Sequence, residues 1–182
     1  MNLRHHFLLA MPTLTGDYFA GTLTYICEHN EDGAMGIIVN RPLQLSLLEL
    51  FVQVGLKANQ RWVDTEVVAG GPVATEQGFV LHSADRIFAT SADLGSELYL
   101  STALDVLDAI ADDEGPRDFL VALGYAGWGA GQLEDEIGRN AWLTAPGDVG
   151  ILFHTPYSDR LDLAGRLLGI DVNLISPKAG HA

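Results

Sequence analysis

Basic residues are scarce in this chain. Ten lysines and arginines stand against 24 aspartates and glutamates, a formal net charge of −14 over 182 residues. Only Lys57 and Lys178 are lysines, and the arginines are scattered from Arg4 to Arg166 with no basic run. Nucleic-acid binding draws most of its affinity from neutralised phosphates. The balance therefore argues against direct contact with DNA or RNA, and equally against attraction to an anionic membrane.

Long apolar runs are missing too. Phe7 to Met11 is an apolar stretch of five that Pro12 ends, whereas a secretory core needs roughly 7–15 such residues and a membrane span ~18. The single cysteine, Cys27, excludes an internal disulfide and agrees with a reducing compartment. A cytoplasmic protein is expected. No internal repeat, low-complexity segment or Pro/Ser-rich linker divides the chain. With 48% apolar residues, it reads as one domain over residues 1–182 with a core of its own.

Signatures of chemistry are equally sparse. His5 and His6 are adjacent on a strand and point apart, while His29, His82, His154 and His181 are isolated. There is no HxH, HExxH, CxxC or Cys/His pair at zinc spacing, so no metal site is expected. No serine sits in a GxSxG elbow. Glu134 and Glu136, two apart on a predicted helix, face away from each other and form no ready acid/base pair.

What is present is patterned structure. Strands are predicted over 7–10, 22–28, 34–39, 63–69, 79–82, 86–90, 98–101, 119–123, 141–143 and 149–153. The Asn30 to Gly33 turn should join two of them in a hairpin. Helices are predicted from the capping box Ser46/Glu49 to the stop at Gly55, over 102–111, over about 132–137, and over 159–168 ahead of Gly169. Strands in neighbouring groups with three to four helices between them indicate an α+β fold, not a doubly wound sheet.

The most constrained stretch is Leu123-Gly-Tyr-Ala-Gly-Trp-Gly-Ala-Gly-Gln-Leu133. It places four glycines in eight positions between a strand and a helix. Glycine allows positive φ and close backbone approach. An anion cradle is one reading, but the spacing is neither GxGxxG nor GxxxxGK[ST], so no nucleotide cofactor is expected. Glu134, Asp135 and Glu136 also fill the helix start and would repel a phosphate. A rigid turn placing Tyr125 and Trp128 fits better, with Trp128 open to stacking or to a cation. If Gly127 or Gly129 has positive φ, a valine there should cost about 1–3 kcal/mol. Gly70-Gly71-Pro72 reads as a second tight turn.

Two further readings concern single residues. Cys27 and His29, one strand repeat apart, should share a face. A protonated His29 would lower the thiol pKa and Glu28 would raise it. This supports a thiol-based sensor or enzyme as an alternative to a small apolar core residue. In Asn40-Arg41-Pro42, Arg41 is able to grip a carboxylate in bidentate fashion, and a strand-exit turn also explains the tripeptide.

Taken in order, Phe7-Leu-Leu-Ala-Met-Pro12, Tyr25-Ile-Cys-Glu-His-Asn30, Gly33-Ala-Met-Gly36, Asn40-Arg-Pro42, Gly70-Gly-Pro72, Leu81-His82, the Gly124 to Leu133 block and Ala141-Trp-Leu143 resemble the AlgH/YqgE family of bacterial proteins. The resemblance implies a cytosolic α+β domain with a coiled, partly split, mostly antiparallel sheet and no established activity. The family name reflects a proposed role in regulating alginate production. Leu161 departs from the tryptophan that the resemblance leads one to expect. The expected function is a non-catalytic regulatory or binding protein that does not act by contacting DNA, with an unidentified protein or small-molecule partner. Candidate contacts are Asn40, Arg41, His82, Tyr125, Gly127, Trp128, Gly129 and Gln132, and a concave or apolar patch should adjoin the glycine stretch.

Overall fold

The capping box forms as read: the Glu49 N–H donates to the Ser46 hydroxyl at 3.1 Å, and the Ser46 N–H donates to the Glu49 carboxylate at 2.8 Å. The structure, a computed structural model, describes residues 1–14, 16–102 and 104–175. His181 and Lys178 lie outside the described residues, as does Ala103 near the start of the second helix. In chain order the strands are β1 (His6–Ala10), β2 (Leu23–Asn30), β3 (Gly33–Ile38), β4 (Pro42–Ser46) and β5 (Glu66–Ala69). They continue as β6 (Val73–Ser83), β7 (Ala92–Gly95), β8 (Leu98–Ser101), β9 (Phe119–Gly129) and β10 (Trp142–Pro146). The helices are α1 (Leu47–Gln53), α2 (Leu104–Ala111), α3 (Gln132–Gly138), α4 (Val149–His154) and α5 (Arg160–Leu167). The fold is α+β, with a mostly antiparallel sheet, as the pattern indicates.

The chain divides into two compact units, residues 1–40 with 126 onward and residues 41–125. In the first, strands pair in the order β10-β1-β2-β3, and Ala126 to Gly129 of β9 then pair with Gly36 to Gly33. The β2–β3 hairpin turns where the Asp32 N–H donates to the Asn30 side chain at 2.8 Å. Its register shifts between Ile26 and Glu28, leaving Cys27 without a cross-strand partner. Leu8, Ile26, Trp128, Leu133 and Trp142 form one core cluster.

The second unit orders its strands β4-β5-β9-β6-β8-β7, and among the described residues only the β5–β9 pair is parallel. Leu47, Leu50 and Phe51 of α1 meet Val106, Leu107 and Ile110 of α2 in a core completed by Val67, Val80 and Val121. Of the apolar positions 47, 48, 51 and 54 that recur at helical spacing in the sequence, Leu47 and Phe51 are core, Leu48 is partly buried, and Val54 is 37% exposed.

Three predicted strands fall differently. Val149 to Phe153 is helix α4, because Asp148 caps it by accepting from the Ile151 N–H at 2.9 Å; a short apolar run has no period to separate the two states. Arg86 to Thr90 contains no strand. There the Phe88 N–H donates to the Ser91 hydroxyl and the Ser91 N–H returns to the Phe88 carbonyl, closing a turn before β7. Residues 63–64 end a 3-10 turn capped by Asn59, so β5 begins only at Glu66.

Candidate functional site

The two glycine motifs, far apart in sequence, meet in the 41–125 unit. Gly124 has φ +77°, and a Cβ added there would lie 2.4 Å from the Gly71 carbonyl oxygen. One added to Gly70 would lie 2.3 Å from the Gly124 oxygen. Both distances are below any tolerated contact, so Gly70 and Gly124 are required by close backbone approach. The Gly70 N–H donates to the Leu123 carbonyl at 2.8 Å and fixes the pair. Gly127 and Gly129 lack positive φ; the left-handed positions are Gly124 and Gly131. The condition attached to Gly127 and Gly129 is therefore not met. A Cβ on Gly129 would have nothing nearer than 3.9 Å.

Within the first unit, β9 and α3 are joined by a polar latch. Glu136 Oε2 accepts from the indole N–H of Trp128 at 2.9 Å and from that of Trp142 at 2.8 Å. Its other oxygen accepts from Gln132 Nε2 at 3.0 Å, and Gln132 Oε1 accepts from the Gly129 N–H at 3.0 Å. Gly131, at φ +73°, precedes the helix that brings Gln132 and Glu136 into line. The Trp128 ring is buried, stacked on Phe19 at 5.9 Å and edge-on to Trp142. It offers no open face for stacking. Tyr125 is half-buried with its ring against Phe79.

Cys27 is fully buried. Burial pushes its thiol far above the usual range, and Glu28 pushes in the same direction. Neither ring nitrogen of His29 serves the thiol. The Leu3 N–H donates to Nδ1 at 2.9 Å, and Nε2 meets Glu134 Oε1 at 2.7 Å. A nitrogen that accepts from a backbone N–H carries no proton, so His29 is held as the tautomer that donates from Nε2 to Glu134. The Glu134 carboxyl lies below its ordinary pKa, through its own backbone N–H and through His29.

Asn40 acts as a clip, accepting from the Leu23 N–H at 2.8 Å and donating to the Gly21 carbonyl at 3.0 Å. Arg41 is half-buried, and its carbonyl accepts from the Ala69 N–H at 2.8 Å. His82 is wholly buried. Its Nδ1 meets the Ser83 carbonyl at 2.9 Å and its Nε2 meets the Ser101 hydroxyl at 2.7 Å. Because a carbonyl only accepts, Nδ1 carries the proton and Ser101 must donate to Nε2. Ser101 then accepts from Ser91 at 2.7 Å, and Ser91 accepts from the Phe88 N–H at 2.8 Å. The hydrogen bonds run in one direction through the buried chain. Burial lowers the His82 pKa.

Ser101 also floors an apolar pocket of about 130 Å³ in the same unit. Leu50 and Val54 come from α1 and its cap, Leu104 and Leu107 from α2, Val80 from β6 and Leu123 from β9. Glu76 is the single charged lining residue. Leu104 and Val54 are 57% and 37% exposed, so apolar surface stands open at this pocket. An apolar concavity thus adjoins Leu123, where the glycine stretch begins, and not Tyr125 or Trp128. A larger cleft of about 410 Å³ lies by Arg61, Trp62 and Arg117, but there Arg61 is already paired with Asp113 at 3.0 Å. Ser101 and His82 have the spacing of a nucleophile and its base. However, the hydroxyl is fully buried, its oxygen is taken by Ser91, and a carbonyl orients the ring in place of a carboxylate. Among the described residues, no three His, Cys, Asp or Glu side chains gather as a metal site, and no helix is long and apolar enough to cross a membrane.

The glycine stretch is strand β9 as far as Gly129, not the expected rigid turn, and it pairs with β3 over Ala126 to Gly129. Together these features define an α+β protein with a close backbone approach at Gly70 and Gly124 and a tryptophan–carboxylate latch. The chain belongs to the AlgH-like family, whose model matches residues 7–173. It is 48% identical to a UPF0301 protein of Cupriavidus metallidurans, over all of this chain and 96% of that one. It is also 48% identical to a UPF0301 protein of Saccharophagus degradans, over all of this chain and 90% of that one. The solution structure of the AlgH protein from Pseudomonas aeruginosa matches with a TM-score of 0.83 at 48% identity, covering all of this chain and 97% of that one. A crystal structure from Corynebacterium diphtheriae shares the fold at 19% identity, with a TM-score of 0.74 over 96% of this chain and 91% of that one.

Proposed function

We propose that this chain is a cytosolic regulatory protein that works by binding, without covalent chemistry of its own and without touching DNA. The observation that carries this reading is the pocket among Leu50, Val80, Leu107 and Leu123. It is apolar, partly open, and its polar floor is already satisfied by His82 and Ser91. A pocket of this kind binds by excluding water from apolar surface. The thiol alternative gains no support from Cys27, which is sealed from solvent and held protonated. The charge of −14 supports a partner other than nucleic acid.

Titration of the isotope-labelled chain with toluene tests the reading. Amide shifts should concentrate at Val80, Leu107 and Leu123. Shifts confined to other regions, or none at saturating toluene, would remove the pocket as the binding site.

A further inference from the structure

Size and charge narrow what the pocket takes, and the argument rests on the binding role proposed above. An apolar cavity of about 150 Å³ holds a benzene-sized guest, whereas sites for cofactors and drug-sized ligands run to about 300–1,000 Å³. At about 130 Å³, this pocket matches one leucine-sized or ring-sized group. Such a pocket is the receiving half of an anchor contact, in which one side chain of a partner supplies most of the apolar burial.

The surroundings carry charge of one sign. Glu76 lines the pocket, and no lysine, arginine or histidine does. Helix α2, which supplies Leu104 and Leu107, exposes Asp108 beside Leu104. Asp108 stands four residues from Leu104 and therefore on the same face. An anion approaching this rim is repelled, and a cation is drawn in.

We infer that the occupant is one apolar side chain of a partner protein, carried on a segment with lysine or arginine on both sides of it. The apolar group fills the space between α1, α2 and Leu123, and the flanking cations meet Glu76 and Asp108.

Four capped peptides titrated into the labelled full chain at low salt test this: Lys-Lys-Leu-Lys-Lys, Ser-Ser-Leu-Ser-Ser, Glu-Glu-Leu-Glu-Glu and Lys-Lys-Ser-Lys-Lys. The lysine-flanked leucine should shift the pocket amides and bind about tenfold tighter than the serine-flanked one, the combined effect of two exposed ion pairs. That advantage should shrink in high salt and in Glu76→Gln. The glutamate-flanked peptide should bind weakest, and Leu104→Gln should weaken every leucine peptide. Equal binding of all three leucine peptides would overturn the charge preference and leave the pocket as a binding site. Equal binding of the lysine peptides with and without leucine would overturn the anchor. Toluene at the pocket, with no leucine peptide there, would also overturn it. Neither toluene nor any leucine peptide at the pocket would remove the proposed function as well.

Discussion

Cys27 and His29 stand two positions apart on β2, yet their surroundings assign them separate tasks. The thiol is enclosed in the core, and the imidazole ties Leu3 to Glu134. Iodoacetamide at neutral pH should therefore leave Cys27 unmodified in the folded protein and alkylate it in urea, as read by mass spectrometry. Rapid labelling of the native chain would mean that the strand opens. His82 gives a prediction with a sign. Burial lowers its folded pKa below the ordinary 6.5, so the unfolded chain binds the proton more readily. Its contribution to stability is fully present above about pH 6.5 and is lost as pH falls below that value. Denaturant midpoints should drop on acidification, and His82→Asn should flatten that slope. Arg160 is buried, with Nη1 donating to the Val39 carbonyl at 2.7 Å and Nε to the Thr155 carbonyl at 2.9 Å. Lysine has one ammonium in place of the fork and cannot serve both. Arg160→Lys should cost about 2 kcal/mol in urea unfolding.

Elements are held both by neighbours in the chain and by segments far apart, the latch being of the first kind and the glycine pair of the second. The latch between β9 and α3 depends on Glu136 accepting from two buried indoles. Glu136→Leu should lower stability by about 2–4 kcal/mol, since each orphaned N–H costs about 1–3. Glu136→Gln, which keeps one acceptor oxygen, should lose less, and the unfolding transition can be followed by tryptophan fluorescence. The glycine pair makes a contrasting prediction. Gly124→Val combines a left-handed φ with a Cβ at 2.4 Å from a carbonyl oxygen and should cost about 3 kcal/mol or more. Gly129→Val should cost under about 1 kcal/mol, because its φ is not left-handed and its Cβ meets nothing nearer than Gln132 Oε1 at 3.9 Å. Local signals are legible in the sequence: the Ser46 capping box and the Asn30–Gly33 turn both depend on neighbours within a few residues. The latch was not, because Glu136 first reads as a charge complementing its own helix dipole and acquires its indole partners only when α3 docks. Helix α4 was lost to a short apolar run without a period. The extra residue at Cys27 broke the alternation on which a shared face with His29 relied. The glycine stretch was correctly singled out, but which of its glycines were obligatory depended on pairing with Gly70 and Gly71.

At the scale of the whole molecule, the proposed function rests on two features: the net charge and where apolar surface stands open. A charge of −14 predicts no gel-shift retardation of duplex DNA at low salt, where electrostatic affinity is greatest; a retarded band there would contradict the charge argument. The pocket was not legible in advance, since its walls come from Leu50, Val80, Leu104 and Leu123 on four separate elements. Tyr125 and Trp128 drew attention as aromatics in a glycine loop, but Trp128 is spent on internal packing and Tyr125 lies against Phe79. Xenon, which enters apolar space without needing a polar handle, tests the central claim most directly in pressurised crystals. Xenon density is expected between Leu107, Val80 and Leu123. Xenon beside Trp128 instead, or at no site in this unit, would contradict it.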